Sequence, residues 1–150
     1  VALKDKINSD LKAALLSGNH FVVEVLRGMK AVILNEEVAQ SKRDDGLDDA
    51  TIELLIAREV KKRNESAKIY DDAGRPELSS DERAEAQVLV EYLPKQLSEE
   101  EINLVVIRVI GELGAADSSA MGQVIGAVKK ELGTSADGAT IAKLVKSTLN

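Results

Sequence analysis

Apolar residues recur along this chain at intervals of three and four, which predicts helices from one end to the other. Leu3, Ile7, Leu11 and Ala14–Leu15 trace a first helix from about Leu3 to Ser17. Gly18 ends it, and Asn19 is placed to cap the next helix by accepting a backbone N–H. The second helix, about His20 to Gln40, turns Val22, Leu26, Met29 and Ile33 inward and completes a helical hairpin. A polar loop, Ser41 to Leu47, leads to a third helix capped by Asp48 or Asp49 and stopped after about Ala73 by Gly74 and Pro76. At 1.5 Å per residue this helix would be about 37 Å long. Its first half carries the stripe Ile52, Leu55, Ile56 and Val60. Its second half is mostly charged, with only Ala67 and Tyr70 continuing the stripe, so it is expected to project or to lie along another lobe. A fourth helix, capped by Ser79 or Ser80, packs through Ala84, Val88, Leu89 and Tyr92.

Pro94 interrupts the pattern and marks the boundary between an N-terminal helical domain, residues 1–94, and a C-terminal three-helix domain, residues 95–150. Ser98-Glu-Glu-Glu101 then has the form of a capping box, in which the Ser side chain accepts from a first-turn N–H while Glu101 reaches back. The fifth helix buries Ile102, Val105, Val106, Val109 and Ile110 until Gly111–Gly114. The sixth follows Ser118–Ser119 and ends near Gly133, with Met121, Ile125, Val128 and Leu132 as its core stripe. The seventh begins at Asp137 and packs Ile141, Leu144, Val145 and Thr148–Leu149. The fold class is all-α. A unit of this size lies near the lower limit for folding alone.

Composition agrees with helix-on-helix packing. Of the chain, 44% is apolar, yet its only aromatic residues are Phe21, Tyr70 and Tyr92, so Leu, Ile, Val and Ala build the core. The absence of cysteine excludes disulfides, thiolate zinc sites and cysteine nucleophiles. The opening residues carry Lys4, Asp5 and Lys6 where a secretory signal would be apolar. Apolar runs such as Leu104–Ile107 are too short to cross a bilayer. A cytoplasmic protein that does not engage a membrane is therefore expected. The net charge of −6 counts against a generic nucleic-acid binder, since Lys and Arg supply the attraction to phosphate. The stretch after Ser118 nevertheless reverses the sign, with Lys129, Lys130, Lys143 and Lys146 against Glu131 and Asp137.

Catalysis lacks its parts. His20 is the one histidine and has no second ligand with which to hold a metal or build a triad; a surface histidine is its ordinary reading. No phosphate-binding loop is present, because Gly122 and Gly126 fall inside a helical pattern with no Lys-Ser/Thr behind them. Acidic pairs such as Glu36–Glu37, Asp44–Asp45 and Asp48–Asp49 sit at loops and helix starts, where solvation and the helix dipole account for them. No catalytic residue, metal or cofactor is expected. Only His20, Tyr70 and Arg75 stand as conceivable polar participants in an enzyme.

Two groups of residues suit a binding role. Arg58, Lys61 and Lys62, with Arg63 and Lys68, line the outer face of the third helix as a phosphate ridge; against it, Glu59 precedes Arg63 by four residues and Glu53 and Glu65 dilute the field, so solvated ion pairs are the plainer account. On the sixth helix Gly122, Gly126 and Lys129 share a face. Interior glycines each cost ~1 kcal/mol relative to Ala, so some close neighbour should justify them, either an adjoining helix or a bound partner such as an RNA backbone. Lys129, Lys130, Lys143 and Lys146 could rim that surface.

Longer strings carry a family resemblance. They are Leu26-Arg-Gly-Met-Lys-Ala31, Arg58-Glu-Val-Lys-Lys-Arg63, Glu65-Ser-Ala67, Tyr70 with Ala73-Gly-Arg75, and Glu91-Tyr-Leu-Pro-Lys-Gln-Leu-Ser98. Behind these come Met121-Gly-Gln-Val-Ile-Gly-Ala-Val-Lys129, Ala136-Asp-Gly138 and Lys143-Leu-Val-Lys146. Together they resemble the stand-alone type of the GatB/YqeY-domain family over essentially the whole chain. The second domain is similar to the helical tail of the B subunit of glutamine-dependent tRNA amidotransferase. The resemblance implies a non-catalytic accessory module that holds tRNA; a carbon–nitrogen ligase label would be inherited by name alone, with no reactive residues to match. The segment between Lys129 and Ala136 departs from that family's pattern, carrying Glu131, Gly133, Thr134 and Ser135 where basic residues are usual, which implies fewer phosphate contacts. A module docking on a translation-related protein is the alternative.

Overall fold

The structure, a computed structural model, describes residues 2–150 and divides into two compact units, one ending at Leu93 and the other spanning Pro94–Asn150. Seven α-helices make up the described residues: α1 (Leu3–Ser17), α2 (His20–Ala39), α3 (Asp49–Asp72), α4 (Pro76–Val90), α5 (Glu99–Leu113), α6 (Met121–Leu132) and α7 (Gly138–Leu149). No strand accompanies them among those residues, and the all-α class holds.

In the first unit α1 buries Ile7, Leu11 and Ala14, while Leu15 stays half exposed to solvent. The Asn19 side chain accepts from the Val22 N–H and starts α2, whose inward residues are Val23, Leu26, Met29 and Ile33. Val23 takes the place expected of Val22. The line through Leu26 and Ile33 runs back to Val23 at a three-residue step, and Val22 sits beside it, half-buried. The loop after α2 is polar as expected, but Leu47 at its end is buried in the core. Glu37 is also buried, at 1% exposure, rather than solvated with its neighbour Glu36; the Lys4 ammonium lies 2.8 Å from its carboxylate.

Asp48 caps α3 by accepting from the Thr51 N–H. Beyond Asp72 the left-handed Gly74 (φ +71°) turns the chain, and α4 starts at Pro76. The expected cap at Ser79 or Ser80 is wrong by about a turn. Proline at the first helical position has its φ already set and lacks only an N–H that would go unpaired there. Ser79 therefore lies inside α4, 1% exposed. Ala86 and Leu89 face the core, and Ala84, expected there, is exposed. The second half of α3 does not project, because α4 packs against α3. Besides bulky residues such as Ile52, Ile56 and Leu89, these two helices bury small ones, Ala67 at 0% exposure with Ser79 and Ala86. Charges span the pair: Arg63 lies 3.6 and 3.5 Å from Glu82 and Glu85, and Arg83 is 2.5 Å from Asp71. Past α4, the buried Tyr92 donates its hydroxyl to Asp10 of α1 at 2.5 Å. That hydrogen bond, more than the Lys6 ammonium beside it, holds the Asp10 carboxyl below its ordinary pKa, while burial raises the Tyr92 phenol.

The second unit has its own core of Ile102, Val106, Val109, Val124, Val128, Ile141, Val145 and Leu149. Both halves of the Ser98–Glu101 capping box are formed. Ser98→Ala is expected to destabilise α5 by about 1 kcal/mol, with Ser98→Thr restoring most of it. Amide exchange in the first turn of α5 reads the effect; unchanged protection would show that the box is not what holds that turn. Asp117 accepts from the Ser119 N–H to start a short 3-10 turn, Ser118–Ala120, ahead of α6. Along α6 Val124 and Val128 are fully buried, with Met121, Ile125 and Leu132 only partly so, a stripe rotated from the expected one. Asp137 caps α7 by accepting from the Thr140 N–H, and Thr148 is exposed rather than packed, its hydroxyl donating to the Leu144 carbonyl at 2.8 Å. The stretch before α5 is tied to the turn between α6 and α7: the Leu97 N–H donates to the Ser135 carbonyl at 2.9 Å, and Gln96 donates to that of Thr134 at 2.9 Å.

Candidate nucleic-acid interface

Burying Val124 and Val128 turns the opposite face of α6 to solvent, and Gly122 and Gly126 lie on it, both exposed. A Cβ built on either would meet no atom within 4 Å. Of the two reasons that could justify glycine here, the adjoining helix is thereby removed: no other segment of the described chain approaches either position. The same helical line continues through Lys129 and Lys130, at steps of three and four from Gly126.

Lys129 is held in a way the sequence did not signal. Its side chain lies over Gly138, the first residue of α7, where a Cβ would come within 3.1 Å of Lys129 Cε and 3.3 Å of Nζ. Gly138 thus keeps space for the Lys129 ammonium beside the start of α7, where the Asp137 cap adds a carboxylate. The only hint was the Ala136-Asp-Gly138 string, and nothing in a lone Asp-Gly marks a resting place for a lysine in the preceding helix.

Glu131, the acidic departure beside Lys130, is engaged by Arg108 of α5, which also pairs with Glu112 at 2.9 Å. Hydrogen bonding to Glu131, then to Glu112, raises the Arg108 pKa further above its ordinary value. With Glu131 engaged, the exposed cations at the end of α6 are Lys130 and Lys129, the latter with its side chain resting over Gly138. Neither has a carboxylate within 4.0 Å among the described residues, nor does Lys146. Lys143 does, at 3.3 Å from Glu99, and shares a face of α7 with Lys146. The four lysines accordingly form two sets: Lys129 and Lys130 continue the glycine line, whereas Lys143 and Lys146 lie on a face of α7 that Lys143 ties to the first turn of α5.

The basic residues of the first unit are less available. Lys61 lies 4.0 Å from Glu65, Lys62 lies 3.3 Å from Glu59, and Arg63 is held by α4, so ion pairs absorb most of the ridge. Arg58 is exposed and has no such partner among the described residues. For catalysis the described residues assemble little. His20 is exposed at the start of α2, Tyr70 is half-buried on α3, and Arg75 is turned toward Glu77 at 3.3 Å. No group of three or more His, Asp or Glu able to hold a metal occurs among them. Nor is any of their helices long and apolar enough to cross a membrane.

An all-helical chain of two units, the second a three-helix body with an uncovered glycine–lysine face, is the class of protein these features define. The chain belongs to the Yqey-like protein family, whose sequence pattern matches residues 4–149. It is similar to altered inheritance of mitochondria protein 41, mitochondrial, from Clavispora lusitaniae, with 26% identity over 135 residues that cover 87% of this chain and 74% of that protein.

Proposed function

We propose that this protein is a non-catalytic accessory module that binds RNA, with tRNA as its ligand, through the glycine–lysine face of α6. The observation that carries the reading is the uncovered state of Gly122 and Gly126. Two glycines that weaken a helix without admitting a neighbouring helix suit an external partner whose own backbone must come close. The adjoining ammonium groups of Lys129 and Lys130 make a phosphodiester chain the fitting partner, since neutralising phosphates releases their counterions and drives association. Likeness of the second unit to the amidotransferase B-subunit tail favours tRNA over other RNA. Lys143 and Lys146 serve as an outer contact, with Lys143 leaving Glu99 to take part, and Arg58 as an auxiliary cation beside the paired Lys61 and Lys62. A cytoplasmic place of action belongs to the same reading.

The test is tRNA binding at about 50 and 200 mM salt, where each phosphate contact contributes close to 0.7–0.9 to the slope of log affinity against log salt. Changing Lys129 and Lys130 together to Ala is expected to reduce that slope by about 1.5, and changing Lys143 and Lys146 together by less, because Lys143 already has a carboxylate partner. Absence of binding at low salt, or an unchanged slope in the Lys129/Lys130 variant, refutes the assignment.

A further inference from the structure

We propose that the groove between α1 and α2 docks an acidic amphipathic helix of another protein. Ile7, Ala31 and Leu34 wall an open cavity of about 240 Å³, with the Lys4–Glu37 pair also lining it and Lys30 at its edge. That volume exceeds the ~150 Å³ void known to accept a benzene-sized guest, so it has room for a leucine-sized side chain. The apolar surface does not stop at the cavity. Ala31, Leu34 and Val38 follow one another on α2 at steps of three and four, Leu34 being 44% and Val38 58% exposed. They extend the strip to about 10 Å along the helix axis. Single exposed apolar residues are ordinary on a surface. Three in line beside a cavity form a track, and a track this long suits an elongated ligand with two apolar anchors one turn apart.

Charge chooses among such ligands. The Glu37 carboxylate is buried and matched by Lys4, so it offers nothing outward. Lys30 has no carboxylate within 4.0 Å among the described residues. On a chain of net charge −6 the track therefore carries one unopposed positive group at the end from which Leu34 and Val38 run. Its complement is a helix with a carboxylate one turn ahead of a Leu/Ile pair, the helix-in-groove mode of recognition. No sheet edge exists among the described residues to receive an extended peptide instead. The Lys4–Glu37 pair joins the start of α1 to the end of α2, which holds the groove in shape before the partner arrives.

The probe is a labelled helical peptide of about 16 residues, long enough to hold helix in water, built on Ala and Gln with Glu, Leu and Ile at steps of four and three. Fluorescence anisotropy with the full chain is expected to give a dissociation constant in the tens of micromolar, about −6 kcal/mol. Leu34→Asp is expected to abolish binding. Lys30→Glu should weaken it about fivefold at low salt, with the difference fading as salt rises. Leu54→Asp, at an exposed leucine on α3 away from the groove, should leave binding unchanged. The proposal is overturned if the peptide fails to bind at about 1 mM, well above the expected dissociation constant. It is equally overturned if a peptide with Ala at both anchors, or with Lys in place of Glu, binds as well. A Leu34→Asp effect confined to self-association of the chain would also overturn it, assigning the strip to a second copy.

Discussion

Ile141→Ala is expected to unfold α5, α6 and α7 while α1 to α4 remain folded in the same molecule. Ile141 has no exposed surface and sits in a core made only of second-unit residues. Truncating a buried Ile to Ala costs about 2–5 kcal/mol, through lost transfer free energy and the cavity left behind. A unit close to 60 residues long has ~3–9 kcal/mol of stability in total, at about 0.05–0.15 kcal/mol per residue, so this one change removes half of it or more. The first unit keeps an independent core of Ile7, Leu26, Ile33, Ile52 and Ile56. Amide exchange should show protection lost across Glu99–Leu149 and kept across Leu3–Val90; a single loss spanning both ranges would mean that the two cores unfold as one. tRNA binding should vanish with the second unit, whereas peptide binding in the α1–α2 groove should persist, which separates the two proposed interfaces experimentally.

Where the sequence was legible, local chemistry and burial agreed. Gly18 with Asn19, Asp48, Ser98 with Glu101, and Asp137 each placed a helix end, because cap and turn residues act on backbone groups within three or four positions. The start of α4 misled for the same reason. Ser79 and Ser80 look like caps in isolation, but Gly74 and Pro76 had already set the turn, and Ser79 became a small residue packed inside a helix rather than a hydrogen-bonding terminus. Glu37 escaped because the group that makes its burial tolerable, Lys4, comes from another helix; no window along α2 contains it. The second half of α3 escaped similarly. A charged sequence reads as projecting, but two of its charges, Arg63 and Asp71, are met by Glu82, Glu85 and Arg83 of α4, and the rest lie on the outer face.

The candidate site divides along the same line. That Gly122, Gly126, Lys129 and Lys130 share a face follows from helical period alone. Whether that face is covered depends on the packing of α5 and α7 against α6, which periodicity does not contain; the small rotation that brings Val124 into the core decides it. The role of Gly138 is a contact between consecutive helices, and Lys143 was separated from Lys129 by a carboxylate, Glu99, lying far away in sequence.

Changing Gly122 and Gly126 together to Ala is expected to strengthen the second unit and weaken tRNA binding, two effects of opposite sign. Both positions are interior to α6 or near its start, with helical backbone and no atom within 4 Å of the added methyl, so the substitution meets no clash. Ala restricts the unfolded chain and favours helix, by about 0.5–1 kcal/mol per site. For a unit of this size the pair should raise the melting temperature by about 4–16 °C. If an RNA backbone rests on the glycine line, two methyl groups keep it from closing onto Lys129 and Lys130, and affinity should fall about tenfold, or 1.4 kcal/mol. The salt slope should fall with it, because contacts held at a greater distance neutralise less phosphate charge. Gly126→Val separates the effects further, since a β-branched residue forfeits much of the helix gain and thickens the obstruction. A more stable protein that binds tRNA as well as the parent would remove the glycine face from the interface, and a less stable one would mean that the notch is filled within the folded chain after all.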